Sequence, residues 1–469
     1  MTIDLSGLSS KLNQQTIPII LDPNDPLYRL CNKILWVELF NQIFPDLQRT
    51  PKGMWWVGRK INVRKHLGAY VLQCLFNKTD RAMGADLSVN GLFQAFCGAT
   101  FISGWSPPHW TKIEEFRNRI SRNSHHAIGE IVLKMARDCG YCDPSWADVD
   151  STVQEANMSY PSDARLMVKL TEKASKAVEK LKKFGFQFAS VSLDKIRAKA
   201  KQYFFETKKV SREMKKKVFE ELHAKVVEEI VPFVNRAMEI TAEKFEALPK
   251  RVQLLTDQVC KTGVALLQQV KGWIQTGVVA SGKIMSFTLS RVKCVRKGKL
   301  GKPNEFGAVY HLVRLGGNFM MVLKALACVE PDKAVIPRVV YAHRHIFGIG
   351  TLDSLGSDRG YYSSRNVKAL RRAQVSEVAI QSPGKVRYRD KSVSPEREAI
   401  LFNRRAGIEP LIGHVKHGGL GRSRMKSDAT AETSAYRSVA GFNLRQMLRA
   451  DMKAMKGAGI GQVIQYIQA

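Results

Sequence analysis

Residues 145–153, Ser-Trp-Ala-Asp-Val-Asp-Ser-Thr-Val, alternate so that Trp146, Asp148 and Asp150 would share one face of a β-strand. The chain on either side reads differently. Residues 1–143 predict a helical N-terminal domain, with apolar periodicity over Val63–Phe76 and Ile128–Met135. Thr111 and Glu114 have capping-box spacing, which predicts a helix starting there and carrying Phe116, Arg117, Arg119 and Ile120. Lys52, Arg59, Lys60, Arg64 and Lys65 cluster ahead of or within a helix, either as a solvated face or as a grip on phosphates. A strand bearing carboxylates therefore follows a helical domain.

Downstream, residues 164–283 are almost continuously helix-forming, rich in Lys, Glu and Ala. Residues 169–217 alone hold 16 Lys and Arg against 5 Asp and Glu, enough for phosphate contacts although often only a solvated helix face. Strand signals return at Ser286–Val295, Ala308–Arg314 and Phe319–Cys328, with Gly316-Gly317-Asn318 as a hairpin turn between the last two. A helix over Asp332–His345 with a bend at Pro337, a strand near 349–356, a helix over 363–373 and a strand over Val375–Ile380 complete the pattern. The order is that of an α/β domain with a mixed sheet, interrupted once by a large helical insertion and preceded by an all-α domain. The expected divisions are 1–143, 144–163 (first carboxylate-bearing strand and loop), 164–283 (basic insertion), 284–424 (rest of the α/β domain) and 425–469 (C-terminal helical segment).

At 469 residues and 44% apolar composition the chain can bury more than one core. Its formal charge of +32, from 74 Lys and Arg against 42 Asp and Glu, points to a polyanionic partner, with nucleic acid foremost. No apolar stretch is long enough to span a bilayer and no basic start precedes an apolar signal segment, so a cytoplasmic location is expected. The eight cysteines sit mostly in apolar runs, as buried reduced thiols would. Cys139-Gly-Tyr-Cys142 has metal or redox spacing but lacks a second pair. Gly277-Val-Val-Ala-Ser-Gly282-Lys283 imitates a phosphate-binding loop. Its next residue is Ile284 where a hydroxyl is needed and no strand precedes it, so it reads as the end of a helix, with no nucleotide cofactor expected.

Cleavage of polynucleotides without a covalent enzyme intermediate is commonly run by two divalent cations about 4 Å apart, which need carboxylates converging from separated segments. Three segments here are acidic and ordered. They are Asp150-Ser-Thr followed by Asn157-Met-Ser-Tyr-Pro-Ser-Asp163; Asp358-Arg-Gly-Tyr-Tyr-Ser363 with Asn366; and Arg404-Arg405-Ala-Gly-Ile-Glu409-Pro-Leu-Ile-Gly-His-Val-Lys416. Together they resemble the three motifs of DDE transposases from bacterial insertion sequences, and the resemblance extends over most of the chain, weakest over 164–283. The family's third motif often spaces Tyr, Arg, Glu and Lys by two, three and six residues. Phe402, Arg405, Glu409 and Lys416 occupy that frame, with Phe in place of Tyr.

The resemblance implies a ribonuclease-H-like catalytic domain in which Asp150, Asp358 and Glu409 hold Mg2+ or Mn2+ as a two-metal site. It further implies hydrolysis at the ends of the element, attack of the freed 3′-hydroxyl on target DNA, and a homodimer or higher synaptic assembly on terminal inverted repeats. Candidate DNA contacts are Phe402, Arg404, Arg405 and Lys416 in the third motif and Lys208, Lys209, Arg212, Lys215, Lys216 and Lys217 in the insertion. If 402–416 were one α-helix, residues 402, 405, 409 and 416 would lie within about 60° of one another, with a kink at Pro410. Asp148 and Asp353 stand as alternative ligands, His414 and His417 as an alternative transition-metal pair, and an Arg405–Glu409 ion pair as the bland reading of that spacing. A nuclease that cuts without joining, or a transposase-derived DNA-binding protein without catalysis, are the competing functions.

Overall fold

The computed structural model describes residues 21–48, 62–100, 105–205, 210–299, 302–325, 331–382 and 393–457. Among the described residues seven α-helices come first: α1 (Pro26–Lys33), α2 (Trp36–Gln48), α3 (Val63–Phe76), α4 (Asp80–Val89), α5 (Gly91–Phe96), α6 (Trp110–Arg119) and α7 (Arg122–Asp138). Strand β1 (Trp146–Glu155) follows. Among the described residues six α-helices then come before the next strand: α8 (Asp163–Lys182), α9 (Leu193–Phe205), α10 (Arg212–Met238), α11 (Ala242–Glu246), α12 (Lys250–Asp257) and α13 (Val264–Thr276), the last two joined by a π-helical stretch, Gln258–Gly263. The chain continues through β2 (Lys293–Lys299), β3 (Lys302–Leu315), β4 (Phe319–Val322), α14 (Ile336–Phe347), β5 (Ser354–Ser357), α15 (Ser364–Arg372) and β6 (Glu377–Ile380). It ends in α16 (Pro395–Ala406), α17 (Ile408–Val415) and α18 (Asp428–Gly457). The protein is thus mixed α/β with a six-stranded mixed sheet, ordered β2-β3-β1-β5-β6, with β4 also paired to β3. Among the described residues no helix is long and apolar enough to cross a membrane.

The chain forms two compact units, residues 157–294 with 426–428, and the remainder. The helical unit has its own core, in which Leu166, Leu170, Leu222, Ile230 and Leu266 are all but fully buried. In the larger unit the N-terminal helices do not enclose a separate core at 1–143. Leu39, Tyr70 and Leu133 belong to the same apolar cluster as Val149, Val313, Leu355 and Ile380 of the sheet. The opposite face is covered by a second cluster, in which Tyr310, Leu312, Met320 and Val322 meet Ile408, Leu411 and Val415 of α17 and Tyr436 and Phe442 of α18. Alternate residues of β3 and β4 fall in the two clusters, the period-2 pattern of strands buried on both sides.

Several local expectations shift for identifiable reasons. Helix α6 begins at Trp110, one residue before the expected capping box, because the His109 side chain accepts from the Thr111 amide and serves as the cap. Pro337 opens α14 rather than bending it, since a first-turn residue needs no intrahelical N–H partner. Residues 286–292 are not strand. Ser286 Oγ accepts from the amides of Thr288 and Leu289, and Asp428 accepts from the Ser290 amide at 2.7 Å, so the backbone is held in turns until Lys293. Gly277 ends α13 in a left-handed conformation, at φ 70°, as the terminus of a helix. The turn at Gly317 requires glycine doubly: φ is 71°, and a Cβ there would stand 2.0 Å from the Tyr141 carbonyl oxygen.

Candidate acidic active site

The site is built on β1. Its one face, Ala147 and Val149, enters the core with the N-terminal helices, and its other carries Asp148 and Asp150. Strand β5 runs parallel to β1 with Trp146 opposite Ser354 and Val149 opposite Ser357. One step further that register sets Asp150 beside Asp358, the residue that ends β5 and caps the short helical turn Arg359–Tyr361. Adjacent strands lie about 4.8 Å apart, so the two carboxylates are neighbours across the sheet edge. Helix α17 packs against β1 and carries Glu409 in its first turn, where the helix dipole favours a negative charge. Burial of Ile408, Leu411 and Val415 fixes that helix, at about 1.5–3 kcal/mol for each side chain removed from water.

The electrostatics agree with this grouping. Burial pushes the Asp150 carboxyl above its usual range, the Ser151 amide and the Arg405 charge oppose the shift, and the Asp358 and Glu409 charges add to it. Asp150 Oδ1 accepts from Ser151 N at 2.7 Å and Asp358 Oδ1 from Arg359 N at 2.7 Å, while Asp358 and Glu409 are solvent-exposed. Three hard oxygen donors from a strand, a strand end and a helix start therefore share one electrostatic field, a donor set suited to Mg2+ or Mn2+. Among the described residues the side chains do not converge as a closed ligating group of three.

The alternatives separate clearly. Asp148 is fully buried and receives Arg404 Nε at 3.1 Å and Nη2 at 3.0 Å, with Arg314 Nη1 at 3.8 Å. Both guanidinium groups lie over the Trp146 ring, at 4.7 Å for Arg404 and 5.2 Å for Arg314. Asp148 is thus a structural anchor. Arg404, a candidate DNA contact, is drawn inward onto Asp148 and the Ser354 hydroxyl. Asp353 precedes β5 and Asp358 follows it, which places them roughly 16 Å apart along the strand and removes Asp353 from the group.

The third motif is not one helix. It breaks at Gly407, between α16 and α17, and Pro410 sits in the first turn of α17, where its missing N–H costs nothing. A Cβ on Gly407 would come within 2.3 Å of Arg314 Nη1, which donates to the Arg404 carbonyl at 2.6 Å, so the break accommodates that arginine. Phe402 packs on the small cluster of Ala379, Val393 and Leu401. Among the described residues Arg405 makes no ion pair with Glu409; its charge acts on Asp148 and Asp150, and its Nε is buried without a hydrogen-bond partner there. Lys416 begins a π-helical turn, Lys416–Leu420, after α17.

Of the other basic candidates, Arg212, Lys215, Lys216 and Lys217 are exposed on the first turns of α10, with Lys216 paired to Glu220 at 3.8 Å. Lys208 and Lys209 lie outside the described residues, as do Lys52, Arg59 and Lys60. Arg64 donates to the Phe96 carbonyl at 2.7 Å and stacks on Trp36, and Lys65 donates to the Ser106 carbonyl at 2.7 Å, so both serve the fold. Burial pushes the Cys142 thiol up to about 12, as in a structural cysteine. His414 and His417 are both exposed.

Sequence reasoning missed the support behind the carboxylates. Tyr361 is buried, its hydroxyl 3.1 Å from His311 Nδ1, and burial with the charges of Asp332, Asp150 and Asp358 raises its pKa. Asn366 donates to the carbonyls of Tyr361 at 2.7 Å and Lys333 at 2.8 Å, tying the turn after Asp358 to the segment carrying Asp332. His311 faces Ser151 only through the β1–β3 register, which no local signal announces.

No family model matches the chain, and no solved structure matches it. An uncharacterized protein, ORF8 in the nfe locus of Rhizobium meliloti, is 26% identical over 168 residues, which is 35% of this chain and 78% of that protein. The similarity carries no activity with it.

Proposed function

We propose that the chain is a metal-dependent DNA-cutting and DNA-joining enzyme of the DDE transposase type, acting on the ends of an insertion sequence as a homodimer or larger assembly. The observation that carries this reading is the one electrostatic field shared by Asp150 in the middle of β1, Asp358 just after β5 and Glu409 at the start of α17, from three motifs far apart in sequence. The net charge of +32 supports a polyanionic substrate. The mixed sheet with helices on both faces is compatible with a ribonuclease-H-like catalytic domain, the finer fold we propose.

In this reading Asp150, Asp358 and Glu409 would hold two divalent cations, whose chemistry would be activation of the attacking oxygen and stabilisation of the leaving one. The three side chains supply the negative charge that retains the cations. The Arg405 charge acts on Asp150 and offsets part of the carboxylate repulsion. The same site serves hydrolysis and strand joining, because water and a sugar hydroxyl are both oxygen nucleophiles in line at phosphorus. The test is Asp150→Asn, Asp358→Asn and Glu409→Gln. Each is expected to abolish Mg2+- or Mn2+-dependent cleavage of end-bearing duplexes and leave duplex binding within about threefold, since charge is removed with little change in volume. Cleavage retained by any one variant excludes that residue from the site. Hydrolysis by the unaltered protein without joined products favours a nuclease.

A further inference from the structure

A cavity of about 410 Å³ opens in the larger unit between the α3–α4 turn, α6, the π-helical turn after α17 and the middle of α18. Its wall carries Lys78, Arg117, Lys416, Arg422, Arg424 and Arg437, and a single carboxylate, Asp80. That carboxylate is already engaged. Arg117 grips it with Nε at 3.2 Å and Nη2 at 2.9 Å, and Gln73 donates to it at 2.8 Å. Lys78 is paired outward to Asp86 at 2.6 Å. The lining carries more cations than carboxylates, a balance that favours an anion.

Arg437 gives the feature a second support. Its Nε is buried with no hydrogen-bond partner among the described residues, and a buried donor left unmatched destabilises the fold until an acceptor reaches it. The remaining wall is kept small. Gly418, Gly419, Ser434 and Ser438 line it, Gly419 has φ 117°, and a Cβ there would stand 2.7 Å from Ser438 Oγ. The volume falls within the range of small-molecule sites, and arginine forks match the oxygens of a phosphate.

We propose that this cavity binds a backbone phosphate of the DNA strand leading to the acidic site. The inference rests on the DNA-cutting reading. Glu409 and Lys416 stand at the two ends of α17, roughly 10 Å apart along its axis at 1.5 Å per residue. The phosphate held here lies apart from the position that is cut, and its role is to set the register of the strand against the carboxylates.

The experiment is fluorescence anisotropy of the full chain on a labelled duplex between about 50 and 200 mM salt. Arg422 and Arg424 are exposed, so Arg422→Gln/Arg424→Gln removes two cations from the wall without opening a core. The slope of log affinity against log salt is expected to flatten by about 1, from roughly 0.9 per lost phosphate contact. Ser434→Glu, which adds a carboxylate to the cavity, is expected to weaken binding at least tenfold. Arg372→Gln/Lys453→Gln removes the same charge from exposed positions absent from the cavity wall and is expected to flatten the slope by less than half as much. An equal flattening by that control, or wild-type binding by both cavity variants, overturns the site. A flat salt dependence in the unaltered protein refutes the DNA reading itself and the inference with it.

Discussion

Arg404→Met tests whether the second arginine of the third motif belongs to the fold or to DNA. The substitution keeps the length and apolar stem of the side chain and deletes its guanidinium. Asp148 is fully buried, and two of its contacts come from Arg404, at 3.1 and 3.0 Å. Removing one partner of a buried pair typically costs about 3–5 kcal/mol, because the other charge is left without compensation. Arg314 stays at 3.8 Å and takes up part of the field, which places the expected loss near the lower end, about 3 kcal/mol. The contact over the Trp146 ring is lost as well and is contained in that figure. The assay is equilibrium urea denaturation of the wild type, Arg404→Met, Asp148→Asn and the double variant, which gives a coupling energy from the cycle. About 2 kcal/mol of coupling is expected, whereas independent sites add to within about 0.5 kcal/mol. Duplex binding is measured alongside. If Arg404→Met leaves stability within about 0.5 kcal/mol of wild type while the salt slope flattens by about 1, Arg404 is a phosphate contact and the anchoring argument fails.

The unaltered protein is expected to lose duplex affinity by orders of magnitude between about 50 and 200 mM salt, measured by anisotropy; a flat profile counts against nucleic acid as the partner. Charge reversal of Arg212, Lys215, Lys216 and Lys217 together is expected to weaken end binding at least tenfold without shifting the thermal midpoint, since all four are exposed. Unchanged binding would make the helical unit structural. Asp451 receives Arg29 at 2.6 Å, the Tyr141 hydroxyl at 2.8 Å and Lys33, and the Arg29 and Lys33 bonds hold its carboxyl well below the usual range against the cost of burial. A depressed folded-state pKa makes its contribution complete above the unfolded value near pH ~4 and lost as pH falls towards the folded value. Asp451→Asn should therefore cost about 2 kcal/mol at pH 7 and progressively less below pH ~4; a pH-independent difference in denaturation midpoint would refute this account.

Sequence alone determined the order of elements and the sites of acidity. Alternation around Asp150 marked a strand, Gly316-Gly317-Asn318 marked a hairpin, and the strand-and-helix order after residue 286 matches the chain that was found, because these signals depend on neighbours a few residues apart. The basic charge, too, is a sum that needs no coordinates. Tertiary structure decided what each charged side chain faces. Asp148 and Asp150 share a strand face, yet one is anchored by Arg404 and the other lies with Asp358, and only the pairing of β1 with β5 and the packing of α16 and α17 separate them. The third motif followed a helical period up to Ala406 and then broke at Gly407, because Arg314, some 90 residues earlier, occupies the space beside it. The N-terminal helices read as a domain of their own, but their apolar faces close over the sheet in one core. The basic cavity gathers Lys78, Arg117, Lys416 and Arg437 from segments hundreds of residues apart. Periodicity records which face of an element is apolar, whereas the partner that covers it is fixed by contacts distant in sequence, and local pattern carries no information about those.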